Sequence, residues 1–192
     1  MSLMMKKIMF NDKFGLTDAV LNGNKTMTRR VISQKIFNKC LIIGEALLHP
    51  PFQIGEIVAI AQSYSDVLET MIKRHGGYGE EQNEFYEKWN NTPPWRNKMF
   101  VRTDLMPHHI RITNIKIERL QEISEEDCLR EGVWERHIKP FNIVETMFQV
   151  PHTAIYKNTP REAFSVLIDK VGKKGDWDKN PWVYVYEFEL ID

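Results

Sequence analysis

The run His109-Ile110-Arg111-Ile112-Thr113-Asn114-Ile115-Lys116-Ile117-Glu118-Arg119 constrains this chain more than any other stretch. Isoleucine recurs at 110 and 112 and again at 115 and 117, the period-2 pattern of a half-buried β-strand. The phase slips between Ile112 and Ile115, which predicts a bulge or bend near Thr113-Asn114. The chain closes on a second such run, Pro181 to Leu190. There Val183 and Val185 alternate with Trp182, Tyr184, Tyr186 and Phe188, so both faces of the strand are apolar. Val183, Val185 and one face of 110–117 should be buried, and Lys116, Glu118 and Glu187 at least partly exposed. Further strands are expected at Ile8–Phe10, Thr28–Ile32, Ile57–Ala61 and Lys98–Arg102.

Helices interrupt these strands. Leu16 to Leu21 is a short one, closed by Asn22-Gly23-Asn24. Residues 65 to 90 read as helix split by Gly76-Gly77-Tyr78-Gly79, with Val67, Leu68, Met71 and Ile72 on one face. Ser124 caps a helix that runs to Gly132, with Asp127 where a capping-box acid belongs. Helix 161–171 turns Ala163, Phe164, Leu167 and Ile168 inward and is expected to cover one face of the last strand. Many strands with scattered helices predict an α+β protein built on a small β-barrel with peripheral helices.

A chain of 192 residues and 22.7 kDa fits one domain spanning 1–192, with insertions. Lys plus Arg and Asp plus Glu both count 26, which excludes a strongly basic nucleic-acid binder but not a local basic patch. The cysteines are Cys40 and Cys128, with no CxxC and no adjacent histidine cluster, so neither a disulfide framework nor a zinc site is expected. His108 and His109 are adjacent and would face opposite sides of a strand, which suits no chelate. No metal and no other cofactor is expected. No apolar run approaches the roughly eighteen residues of a membrane span, and Met1 to Lys7 has no signal-like stretch, so a cytoplasmic location with no membrane partner is predicted.

Two clusters carry potential chemistry. Gly23-Asn24-Lys25-Thr26-Met27-Thr28-Arg29-Arg30 sets a lysine, two hydroxyls and two arginines beside a glycine turn. A lysine held in a cleft can lose its proton and act as a base, and a threonine hydroxyl beside it can act as nucleophile. The same residues also read as a turn lysine, a β-prone threonine and solvated arginines. On a strand Thr26, Thr28 and Arg30 point one way, so Arg29 should point away from Thr28, leaving Arg30 the cleft cation. In Ser124 to Gly132 the acids of the first turn suit a helix N-terminus, but Glu131 sits at the C-terminus, where a carboxylate is disfavoured. That placement hints at a function or a buried partner; a surface glutamate is the plain alternative.

Leu21 to Arg30 resembles the Gly-x-Lys-Thr-x-Thr-x-Arg signature of ASCH domains, relatives of the PUA fold. Ile117 to Val133 is similar to the strand and helix of longer, phage- and prophage-borne members, and Trp177 to Phe188 resembles their closing pattern. The resemblance implies a PUA-like β-barrel of ASCH type with a cleft, peripheral helices and inserted helical segments at about 33–54, 65–97 and 134–159. It implies RNA binding and, from compact bacterial members, an amidohydrolase that removes the acetyl group of N4-acetylcytidine. Carried over, the functional lysine, threonine and glutamate fall on Lys25, Thr28 and Glu131. Thr26, Arg29, Arg30 and Tyr64 become candidate substrate-binding residues, Tyr64 standing where longer members carry a tryptophan. Asn24 departs from the usual arginine before the lysine, and Ala61-Gln62 from an Arg-Glu pair.

These readings lead to a protein that binds a nucleoside or short RNA in a Lys/Thr/Glu cleft. In the enzymatic version Thr28 attacks the amide carbonyl of an N4-acylated cytidine, Lys25 takes its proton and Glu131 orients Lys25. The alternatives are a non-catalytic RNA- or nucleotide-binding module, or a phage accessory protein acting through protein contacts.

Overall fold

The strictly alternating runs form hydrogen-bonded ladders. The computed structural model describes residues 5–33, 50–139 and 144–191, and these hold eight strands and six α-helices. The strands are β1 (Lys7–Ile8), β2 (Met27–Val31), β3 (Ile57–Ile60), β4 (His109–Arg119), β5 (Trp134–Ile138), β6 (Glu145–Gln149), β7 (Tyr156–Lys157) and β8 (Trp182–Leu190). The helices are α1 (Leu16–Leu21), α2 (Tyr64–His75), α3 (Glu80–Trp89), α4 (Glu125–Arg130), α5 (Pro160–Val171) and α6 (Asp176–Lys179). Two sheets result, in the orders β1-β3-β4-β8-β2 and β5-β6-β7. The mixed α+β class is as the alternation predicts. Among the described residues no ladder closes the larger sheet into a barrel. The expected insertion at 33–54 and Cys40 fall mostly or wholly outside the described residues. No described helix is long and apolar enough to cross a membrane.

The chain divides into two compact units. The first comprises Met1–Phe10, Ile57–Arg111 and Leu190–Asp192. Within it β1 runs parallel to β3, Lys7 opposite Ala59, and β3 pairs antiparallel with the start of β4, Val58 opposite Ile110. Ser63 opens α2 with a capping box, its hydroxyl accepting from Asp66 N–H and the Asp66 carboxylate accepting from Ser63 N–H. Gly76, at φ 71°, ends that helix in a left-handed cap, as the glycine cluster predicts. Ala59, Ala61, Tyr64, Val67, Val101 and Met106 form the core here, with Phe85, Trp89 and Trp95 packed against it. Lys98–Phe100 is a 3-10 turn rather than the expected strand. The Asn97 side chain accepts from Met99 N–H (3.0 Å) and bends the backbone out of the extended region.

The second unit comprises Asn11–Glu56 and Ile112–Glu189. Strand β2 pairs antiparallel with β8, Thr28 opposite Tyr186 and Arg30 opposite Tyr184. Val183, Val185 and Tyr186 are fully buried and Tyr184 and Phe188 nearly so, which fits a strand apolar on both faces. Ile112 is buried while Ile115 and Ile117 are half-buried. At the phase slip the Asn114 side chain accepts from Ile115 N–H (2.9 Å). Lys116, Glu118 and Glu187 retain partial exposure.

Residues 134–159 were expected as an inserted helical segment. Instead the described residues of this segment include the three strands of the antiparallel sheet β5-β6-β7, Arg136 opposite Met147 and Phe148 opposite Lys157. Cross-strand polar pairs fix that register: Arg136 donates to Gln149 (2.9 Å), and His137 Nδ1 lies 3.2 Å from the Thr146 hydroxyl. Helix α5 has its own Thr159–Glu162 capping box and buries Ala163, Phe164 and Leu167. It packs most closely against α4, α6, β6 and β7 rather than lying chiefly over β8.

Candidate functional site

The candidate residues of the second unit are positioned by two chain reversals. After α1 the backbone turns at Gly23 (φ 73°), and the N–H groups of Asn24 and Lys25 both donate to Ala19 carbonyl (2.8 and 2.9 Å). Lys25 is thereby fixed in the turn, one step outside β2. At the other end, Ser124 caps α4 by accepting from Asp127 N–H (3.1 Å), and Glu131 is the C-cap residue. Gly132 follows at φ 105°, where a Cβ would sit 3.2 Å from Leu16 Cδ2 and 3.7 Å from Lys25 Cδ. Glycine is needed there for its conformation, and a Cβ would also crowd Leu16. Thr26 N–H donates to Arg130 carbonyl (3.0 Å), tying the start of β2 to the end of α4.

Lys25 Nζ donates to Glu131 Oε2 (2.6 Å) and to Glu131 carbonyl (2.7 Å). The Lys25 and Glu131 side chains are 2% and 5% exposed, so the pair is withdrawn from water. The acid disfavoured at a helix C-terminus is thus held by a cation that also satisfies a helix-end carbonyl. The other Glu131 oxygen accepts from Arg29 Nη1 (3.1 Å). Arg29 also donates from Nη2 to Glu118 (2.6 Å) and Asp127 (2.9 Å), and from Nε to Glu118 (3.0 Å). Lys116 reaches Glu118 (3.1 Å) and Asp127 (3.4 Å). Arg130 bridges Glu187 (2.7 Å) and the Thr26 hydroxyl (3.2 Å), and lies 3.5 Å from Asp127.

Burial is the largest influence on Lys25 and pushes its ammonium below the ordinary lysine value. The charge and hydrogen bond of Glu131 oppose that shift, and the charges of Arg30 and Arg29 add to it. A buried lysine poised in this way can act as a base. Burial would raise the Asp127 carboxyl, but the hydrogen bond and charge of Arg29, followed by those of Lys116, hold it below its ordinary value. Arg30 is lowered, chiefly by burial. Burial pushes the Cys128 thiol up to about 12, which keeps it protonated and inert.

The arrangement brings Lys25, Arg29 and Glu131 together. Arg29 lies on the opposite face of β2 from Thr28, as alternation predicts, yet it reaches Glu131 and so belongs to the site alongside Lys25. Lys25 precedes β2 and does not follow its alternation, and its head group meets Arg29 at Glu131, each cation on its own carboxylate oxygen. Thr28 is buried at 5% exposure, on the face of β2 opposite Arg29, across from Tyr186. Thr26 is held by Arg130. Tyr64 is a fully buried core residue of the first unit: its ring packs edge-on to Trp89 (4.8 Å), and its hydroxyl accepts from Arg102 N–H (3.1 Å).

Sequence reasoning missed Glu118, Asp127, Lys116 and Arg130 as members of this network. Lys116 and Glu118 read as the polar face of an alternating strand, and Asp127 as a capping acid. A detectable signal existed: opposite charges two residues apart lie on one face of a strand. Among the described residues no group of three or more His, Cys, Asp or Glu is arranged to hold a metal ion. The carboxylates of Glu118, Asp127 and Glu131 converge on the Arg29 guanidinium instead. No family model, no curated protein and no solved structure matches the chain.

Proposed function

We propose that this chain is an ASCH-type, PUA-like protein that holds a nucleoside or RNA base beside Lys25, Thr28 and Glu131 and hydrolyses N4-acylated cytidine in the cytoplasm. The observation that supports this reading is the buried Lys25–Glu131 pair, made by residues 106 positions apart. These are two of the three residues that the resemblance marks as functional, and they come from separate motifs. The reaction requires the Lys25 head group, held on Glu131, to reach the Thr28 hydroxyl: neutral Nζ then takes its proton as Oγ1 attacks the acyl carbonyl. The tetrahedral intermediate then collapses. The C–N bond breaks, the proton on Lys25 passes to the departing cytidine N4, and Thr28 is left as an ester. Lys25 next takes a proton from water, whose oxygen attacks the ester, releasing the carboxylic acid and returning the proton to Thr28. Glu131 fixes the direction of the lysine head group throughout. Arg30 lies on the same face of β2 as Thr28 and is the strand's cation on that side.

A non-catalytic version, a base-binding module, draws on a different observation. Both Glu131 oxygens are already engaged by protein cations, which also suits a rigid wall of a binding site. A panel of N4-acylated cytosines and cytidines, followed by acid release and by NMR shifts on adding cytidine, separates the two. Acid release with the acetyl substrate supports the hydrolase. Cytidine-induced shifts at Lys25 and Thr28 without hydrolysis support the binding module. Neither response overturns both.

A further inference from the structure

The two cations that share Glu131 are chemically unequal. Lysine can give up its proton inside a protein, whereas arginine cannot. Arg29 is also firmly seated. Its side chain is 1% exposed, and Nε, Nη1 and Nη2 all donate, to Glu118, Asp127, Glu131 and the Met27 sulfur. Lys25 donates to Glu131 twice, to its carboxylate and to its carbonyl. A buried carboxylate stripped of its only cation is strongly disfavoured. If Lys25 were the sole partner of Glu131, loss of its proton would create that state.

We infer that Arg29 is the permanent counterion of Glu131, a positioning residue that lets Lys25 give up and regain its proton without leaving a lone buried carboxylate. The inference rests on the reading of Lys25 as the group that exchanges a proton. The charged and titratable groups around the pair come from three strands and a helix. They are Arg29 and Arg30 on β2, Lys116 and Glu118 on β4, Asp127, Cys128 and Arg130 on α4, and Glu187 on β8 behind Arg130. Of these, Arg29 is the cation bonded to the same carboxylate as Lys25. In its absence the Lys25 ammonium would carry the pairing of Glu131 by itself and would be retained to higher pH.

The test is an NMR titration of the Lys25 side chain in full-length protein, assigned by the signal lost in K25M. No substrate is needed. In R29Q the Lys25 midpoint should rise by about one pH unit or more, roughly tenfold in proton affinity. In R29K, which keeps the charge, it should stay within about half a unit of wild type. An unmoved midpoint in a folded R29Q overturns the inference. If R29Q does not fold, wild type decides. Deprotonation of Lys25 should leave its fold intact, and unfolding that coincides with the Lys25 midpoint overturns the inference. Because the readout is a titration, a shifted midpoint without any hydrolysis would sustain Arg29's role and defeat only the hydrolase reading.

Discussion

Lys25 Nζ lies 2.6 Å from Oε2 of Glu131, across 106 positions of chain. The pair closes α4 against the turn that precedes β2, and Arg29 extends it into a network that reaches the surface at Lys116. The removal of either partner therefore has unequal consequences. E131Q leaves Lys25 and Arg29 without their shared anion, and the loss should be about 3–5 kcal/mol, the range for breaking a buried ion pair from one side. K25M leaves Glu131 still held by Arg29, so its cost should be clearly smaller. Urea unfolding of both variants checks this; equal losses would show that Arg29 does not share the load.

The acid limb of stability should depend on Asp127. Its folded-state value lies below the ordinary 3.8, so the unfolded chain takes up the proton first as pH falls. The stabilisation is complete above the ordinary value and is lost as pH drops through the folded one. Urea midpoints at pH 7, 4 and 3 should therefore fall more steeply for wild type than for D127N. Parallel slopes would remove Asp127 from the network. Lys25 gives the same sign of pH slope, but as a penalty rather than a stabilisation. Its lowered value makes the fold slightly less stable at neutral pH, a penalty relieved as pH rises from its folded midpoint toward 10.5.

Cys128 is fully buried, and burial lifts its thiol to about 12. In the folded protein at pH 8 an alkylating reagent should leave the peptide carrying Cys128 unmodified, and modification should appear only with urea. Rapid labelling of Cys128 in native buffer would show that α4 opens readily.

Phe164 is 1% exposed and meets the Trp177 ring edge-on at 6.1 Å. Phe164→Ala should cost about 3–5 kcal/mol in urea unfolding. A loss under about half a kcal/mol would mark α5 as peripheral to the fold.

The parts of the fold legible in the sequence are those with a strong local period or cap. Ile110 and Ile112, Val183 and Val185, the Gly76 stop and the Ser124 cap all function as their neighbours in sequence predict. The sheet at 134–159 was not legible because its strands are weakly alternating and mostly half-exposed, and are held by polar pairs such as Arg136–Gln149. At the site, Glu131 stood out because its charge opposes its position on a helix. Arg29 did not, because alternation along β2 describes its direction relative to Thr28 and says nothing of a lysine in the preceding turn. Long-range pairings such as Arg29 with Glu118 need the register of the sheet, which no local pattern encodes.

The most direct test of the account is acetate release from N4-acetylcytidine by wild type alongside K25A and T28A, with circular dichroism confirming that each is folded. The account predicts turnover by wild type and none by either folded variant. Turnover that survives in both variants, or a wild-type protein that neither releases acetate nor shows cytidine-induced NMR shifts at Lys25 and Thr28, would contradict it.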